Sequence, residues 1–148
     1  AGMQKIIIGS DHGGYALKEY VKMLLLKQGF FVEDVGTHSE DSCDYPDYAH
    51  KVSEEIVRGN FEKGILICKS GIGMSMAANK TEGIRAALCY NHEASVLCRA
   101  HNNANVLVLG SRFVTKEEAE KIVQAFLITE FEGGRHAGRV DKIERVSL

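Results

Sequence analysis

The chain has 148 residues, long enough for one domain that buries roughly 68–70% of the surface its unfolded form would expose. Eighteen basic and twenty acidic residues leave a formal charge of −2, and no block of like charges interrupts the sequence, which argues against nucleic-acid binding or an acidic tail. Four cysteines without a CxxC pair, no signal peptide and no apolar run of membrane-spanning length set the expectation of a cytoplasmic protein with reduced thiols, no membrane contact and no disulfide framework.

Ala1-Gly2 ahead of Met3 reads as the remnant of a cleaved tag, so the domain is taken as residues 3–148. Residues 5–9 form the first expected strand, followed by Ser10-Asp11-His12-Gly13-Gly14. Leu17, Val21 and Leu24 recur at helical spacing and predict the first helix. A second strand is expected over residues 31–35. Pro46, suited to a first helical position, then opens a helix whose apolar stripe is Ala49, Val52 and Ile56. Residues 64–68 form the third strand, which leads into Lys69-Ser70-Gly71-Ile72-Gly73-Met74-Ser75 and the small, helix-compatible Met76-Ala77-Ala78-Asn79. Strands over residues 85–89 and 106–109 follow, the second preceded by the polar loop His101-Asn102-Asn103-Ala104-Asn105. Thr115 and Glu118 have the spacing of a capping box ahead of Ala119, Ile122, Val123 and Phe126. A C-terminal helix completes the series.

Strands that alternate with helices predict an α/β fold, Rossmann-like and three-layered, with a five-stranded parallel sheet, because parallel neighbours need crossovers that lay helices on both faces. Ligands of such sheets bind outside the carboxyl ends of the strands. The segments after strands 1, 3 and 5, namely 10–14, the Cys68 loop and Gly110-Ser111-Arg112, are therefore expected to converge on one cleft.

Cys68 at a strand's carboxyl end, beside Lys69 and a helix start, suits a thiolate with its pKa below about 8.5. The backbone N–H groups that follow it suit an anionic intermediate. Cys89 and Cys98 read as core fillers. Gly71-Ile72-Gly73 is not a dinucleotide fingerprint, since Met76 stands where the third glycine belongs and the loop follows the third strand rather than the first. Asp11 and His12 could be a plain helix cap or functional groups, and 101–105 could be a surface turn. Arg135, His136 and Arg139 read either as a solvated helix face or as a cationic cluster fit for phosphate, with Arg112 adding a guanidinium.

Taken together, these pieces resemble the type B ribose-5-phosphate isomerase family, which includes allose-6-phosphate and galactose-6-phosphate isomerases. The resemblance runs end to end. It rests on Ser10-Asp11-His12-Gly13-Gly14, Asp44-Tyr45-Pro46, Cys68 with Ser70-Gly71-Ile72-Gly73, Ala77-Ala78-Asn79-Lys80, Gly83-Ile84-Arg85-Ala86, His101-Asn102, Asn105-Val106-Leu107 and Phe131-Glu132-Gly133-Gly134-Arg135-His136. It implies interconversion of D-ribose 5-phosphate and D-ribulose 5-phosphate, a step of the non-oxidative pentose phosphate pathway, without metal or organic cofactor. By that likeness His101, aided by Asp11, opens the sugar ring; Cys68 moves the proton between C2 and C1; and Ser70 with the N–H groups of Gly71, Ile72, Gly73 and Met74 holds the enediolate. His12, Arg112, Arg135, His136 and Arg139 bind phosphate, and Tyr45 and Asn102 complete the substrate set.

His101 precedes the fifth strand and so belongs at the end of the sheet opposite Cys68. The family's dimers, with active sites built from two subunits, would resolve this by supplying His101 and Asn102 from a partner, so a homodimer with composite sites, or a tetramer of such dimers, is expected. Many relatives carry Gly-Thr after the cysteine where this chain has Lys69-Ser70. Another branch lacks the cysteine and places a glutamate base at the position of Met74. The alternatives are an allose- or galactose-6-phosphate isomerase and, further off, a phosphocysteine carrier, a cysteine phosphatase or a sugar-phosphate binding protein. Phosphatase loops need an arginine where Met74 stands.

Overall fold

The computed structural model describes residues 4–145. Ala1-Gly2, read above as a tag remnant, lies outside the described residues, as do Met3 and the last three positions. In chain order the elements are β1 (Lys5–Ser10), α1 (Tyr15–Lys27), β2 (Phe31–Asp34), α2 (Tyr45–Val57), β3 (Lys63–Cys68), α3 (Ile72–Ala78), β4 (Ala86–Leu88), α4 (His92–Ala100), β5 (Val106–Gly110), α5 (Lys116–Ile128) and α6 (Arg135–Glu144). A single 3₁₀ turn over His12–Gly14 joins β1 to α1. The sheet is parallel throughout in the order β2-β1-β3-β5-β4.

The three central strands are apolar on both faces because helices cover both. Ile6, Ile8, Ile65, Ile67, Leu107 and Leu109 pack with Leu17, Val21 and Leu25 of α1 and Ile122, Val123 and Phe126 of α5. Ile7, Leu66, Val106 and Val108 pack on the other side with Ala49, Val52 and Ile56 of α2 and Met74 and Ala78 of α3. Each of the larger of these side chains contributes about 1.5–3 kcal/mol by leaving water. Cys89 and Cys98 lie in the first cluster; contact with the Cys98 thiol and burial push the Cys89 thiol up. The capping box at Thr115 forms as its spacing predicts, with Thr115 and Glu118 each holding the other's backbone N–H.

Two expectations shift. The buried stripe of α1 runs Leu17, Val21, Leu25, and Leu24 is only half-buried, because the helix meets the sheet along an i, i+4, i+8 line. The edge strand β4 is shorter than expected, since Arg85 is held in a loop by Asn105 and Glu144 instead of entering the ladder.

Lys18 on α1 is completely buried. Its ammonium meets Asp34 at the end of β2 at 2.6 Å and Glu19 at 2.9 Å, and Lys22 joins the same Asp34 oxygen at 2.9 Å. The other Asp34 oxygen accepts the Gly36 N–H at 2.9 Å. Gly36 in turn accepts the Ser10 N–H, and Thr37 donates to the Ser10 carbonyl, both at 2.7 Å. A buried charge pair thus fixes the loop that clamps the end of β1 beside Asp11.

Burial pushes the Asp34 carboxyl up, but the hydrogen bonds from Lys18, Lys22 and Gly36 outweigh it and hold the group below the usual carboxylate range. As pH falls the unfolded chain therefore binds this proton first, so the stabilisation is full above about pH 4 and is lost as pH drops through the lower folded value. Urea unfolding should show Asp34→Asn losing about 3 kcal/mol at neutral pH, the low end for a broken buried pair because Glu19 still faces Lys18. It should also show a smaller further loss than the parent between about pH 5 and pH 2. Equal acid sensitivity in both proteins would contradict this.

Candidate active site

The segments after β1, β3 and β5 meet at the carboxyl end of the sheet, as expected. Asp11 donates its N–H to the Ile67 carbonyl at 3.2 Å. Ser111 and Arg112 donate theirs to the carbonyls of Cys68 and Lys69 at 3.0 and 2.9 Å, and the Ser111 hydroxyl reaches the Gly13 carbonyl at 2.8 Å. Gly110 is required here: a Cβ on it would collide with the Ser70 carbonyl.

Cys68 is 5% exposed and its Sγ accepts the Gly71 N–H at 3.1 Å. Gly71 itself takes a left-handed backbone, φ +82°, where a Cβ would also collide with the Leu88 side chain. The Ser70 hydroxyl accepts the Ile72 N–H at 3.1 Å, and the Ser75 hydroxyl donates to the Ile72 carbonyl at 2.8 Å. Two of the four N–H groups expected in an anion cradle are therefore already engaged. Those of Gly73 and Met74 meet no acceptor among the described residues. Met74 is fully buried and its side chain belongs to the core, while Ile72 is exposed. Tyr45, in the first turn of α2, lays its ring over Gly73, so close that a Cβ there would sit 2.6 Å from Cζ.

The Asp11 carboxylate accepts the Gly14 N–H at 3.1 Å and caps the 3₁₀ turn. It is a cap, and it also lies in the cleft. His12 Nδ1 accepts the Cys43 N–H at 3.2 Å, which leaves Nε2 as the other ring atom available to a ligand. Lys69 is exposed, lies against Gly13, and makes no ion pair among the described residues.

A second group gathers at the amino end of the sheet. His101 follows the last residue of α4 and donates its N–H to the Leu97 carbonyl at 2.9 Å. Its ring stacks on His136 of α6, with centroids 4.2 Å apart and planes at 12°. The Glu132 carboxylate faces both rings, its Oε1 lying 3.9 Å from His101 Nε2 and 3.6 Å from His136 Nε2. Burial, the neighbouring His101, and Arg135 depress the proton affinity of His136, Glu132 opposes this, and Arg139 adds to it. Arg99, nearly buried, binds the carbonyls of Thr129 and Ala104 and the Asn103 side chain, joining the His101 loop to the segment before α6. A cavity of about 720 Å³ lies on this side, with Asn102, Arg85 and Glu144 in its wall; Cys68 is not part of its lining.

The chain therefore divides the predicted site. Asp11, His12, Tyr45, Cys68, Ser70, the Gly71–Met74 loop and Arg112 lie at the carboxyl end, and His101 and Asn102 lie at the amino end, as the order along the chain implies. The phosphate set of His12, Arg112, Arg135, His136 and Arg139 does not assemble within one chain. Arg135, His136 and Arg139 stand with His101, because the Glu132 N–H is held by the Ala100 carbonyl at 3.0 Å and Glu144 pairs with Arg85. Tyr90 was not anticipated: its hydroxyl donates to the Ser70 carbonyl at 2.9 Å and its ring packs on Phe113 at 5.2 Å. Its place just after β4 could have flagged it. Glu132 was noticed only as part of a motif.

Residues 6–143 match the family described as Ribose/Galactose Isomerase. The chain belongs to this isomerase family. It is 45% identical to "Ribose-5-phosphate isomerase B" of Escherichia coli over 97% of both chains. Among solved structures of the family, the ribose 5-phosphate isomerase of Thermotoga maritima superposes with a TM-score of 0.96 at 52% identity, covering 98% of this chain and all of that one. The enzyme of Mycoplasma genitalium, solved with bound ribulose-5-phosphate, superposes with a TM-score of 0.92 at 45% identity over 97% and 96% of the two chains.

Gly110→Ala should lower the melting temperature and displace the Ser70 carbonyl, because the obstructing atom is backbone and cannot turn aside. A variant with unchanged melting and unchanged alkylation rate at Cys68 would contradict the close approach.

Proposed function

We propose that this chain interconverts D-ribose 5-phosphate and D-ribulose 5-phosphate through a cis-enediolate. The observation that carries the reading is Cys68, held at the carboxyl end of β3 beside the Ser70 hydroxyl and the unengaged Gly73 N–H, within a chain similar over nearly its full length to a relative solved with ribulose-5-phosphate. A base in that position removes the proton from C2 of the aldose and returns it to C1 of the enediolate, so one group serves both steps. Ser70 and the loop N–H donors face the oxygen on which negative charge develops, and one such preorganised donor typically lowers the barrier by about 2.7–4 kcal/mol. His12 and Arg112 supply phosphate donors at this end.

The acid–base group for ring opening, His101, comes from a second copy, together with Asn102, Arg135, His136 and Arg139. A two-fold dimer that sets the amino end of one sheet against the carboxyl end of the other completes two sites at once. Ile72 and Met76 on α3 support such a contact, being 46% and 65% exposed beside the Cys68 loop. A sugar phosphate is the only small partner the reading requires.

Cys68→Ala should reduce turnover by about 10²–10⁴ while sugar-phosphate binding persists, and solvent deuterium should enter the product of the parent enzyme. Preserved turnover would overturn the base assignment. Faster turnover of allose or galactose 6-phosphate than of the pentose would move the substrate within the family.

Cys68→Ala and His101→Ala chains, each inactive alone, should regain about a quarter of the parent activity on equal mixing and reassembly. Half of the dimers are then mixed, and each mixed dimer holds one intact site of two. No recovery, with mixed dimers present, would overturn the composite site.

A further inference from the structure

We propose that His101, Glu132 and His136 bind one divalent ion of zinc's kind, and that the bound ion holds the isomerase inactive. The ligand atoms are already close together, and of the two rings His101 alone must turn to complete the geometry. All three lie within 4.8 Å of one another, and they form a group that no other His, Cys, Asp or Glu residues match among those described. Glu132 Oε1 is 3.6 and 3.9 Å from the two Nε2 atoms. A tetrahedral ion with bonds of about 2.0–2.1 Å sets its ligands roughly 3.3–3.4 Å apart, so the carboxylate must approach each ring by only a few tenths of an ångström.

The backbone around the trio is fixed at three points: His101 N–H to Leu97, Glu132 N–H to Ala100 and His136 N–H to Gly133, at 2.9, 3.0 and 3.0 Å. The side chains differ in freedom. His136 is 11% exposed, His101 39% and Glu132 60%. That difference matters because a metal lies in the plane of each imidazole it binds, and two rings stacked at 12° cannot share one ion as they stand. His101, on the exposed side, must turn out of the stack, which makes unstacking a signature of binding.

Two imidazoles and one carboxylate leave a fourth position open, and the imidazoles select zinc, cobalt or nickel over magnesium or calcium. Arg135 and Arg139 on α6 disfavour any cation held by charge alone, so the site suits an ion that forms strong bonds to nitrogen. Once bound, the ion occupies the His101 lone pair. The inhibitory consequence rests on the ring-opening role given to His101 above; the binding does not.

The test is calorimetric titration of the metal-free, full-length protein with zinc chloride, magnesium chloride serving as the comparison. One zinc per chain is expected, with the His101 ring resonances shifting on binding. Glu132→Gln, at an exposed position that should leave folding intact, should weaken binding by about tenfold or more, and His101→Asn likewise. Cobalt should bind without a thiolate charge-transfer band. Absence of saturable zinc binding, equal affinity in both variants, or a thiolate band would overturn the site. Zinc should also abolish turnover over the range in which it binds, reversibly on chelation, and turnover persisting at saturation would overturn the inhibitory half. The untreated enzyme reports separately on the isomerase reading, because binding is measured without substrate.

Discussion

Cys68 stands opposite Gly110, and Ser10 opposite Ile67, because β3 runs parallel between β1 and β5 in a register fixed along the length of all three strands. A slip of one residue would turn Cys68 to the α1–α5 face and bury it away from its own loop. The same register carries the carbonyls of Ile67, Cys68 and Lys69 to the N–H groups of Asp11, Ser111 and Arg112. Apolar packing on both faces sets the register, so the position of the Cys68 sulfur follows from the core.

Each end of the sheet has a buried cation that organises it. At the carboxyl side Lys18 is neutralised by Asp34, and the pair fixes the loop against Ser10. At the amino side Arg99 has no carboxylate partner among the described residues and binds two carbonyls and an amide oxygen. Burial depresses its proton affinity, yet a guanidinium stays charged in proteins, and its five fixed donors match several backbone acceptors at once. One arrangement is a charge pair between a helix and a strand end; the other is a staple between two loops.

The central strands were legible because each is a short, fully apolar run, and α5 because Thr115 and Glu118 mark its start. The edge strands were less so: β4 lies at the margin of the sheet, with only partly buried residues, and side-chain contacts of Arg85 decide where it begins. Leu25 displaced Leu24 on α1 because the angle at which a helix meets a sheet is a tertiary quantity. At the site, Cys68, Ser70 and Gly71 could be read from a strand followed by glycines. The separation of Arg135, His136 and Arg139 from Arg112 could not, since α6 is placed by long-range contacts, among them the Glu132 N–H on Ala100, the Glu144–Arg85 ion pair and the stack of His136 on His101, and none of these leaves a pattern in the sequence. Nothing in the sequence around Lys18 marks it as buried, because its partner Asp34 lies sixteen residues on, at the end of β2.

Both hydrophobic clusters are closed within a single chain, with Ile7, Ile65, Leu66, Val108 and Phe126 wholly shielded from solvent. Folding and chemistry therefore have different requirements on the proposed function. A lone subunit can be complete as a folded object and hold two unmatched halves of a reaction site. Dilution would then abolish turnover without unfolding anything, so the cellular abundance of the chain, through mass action, would itself act as a switch on its activity.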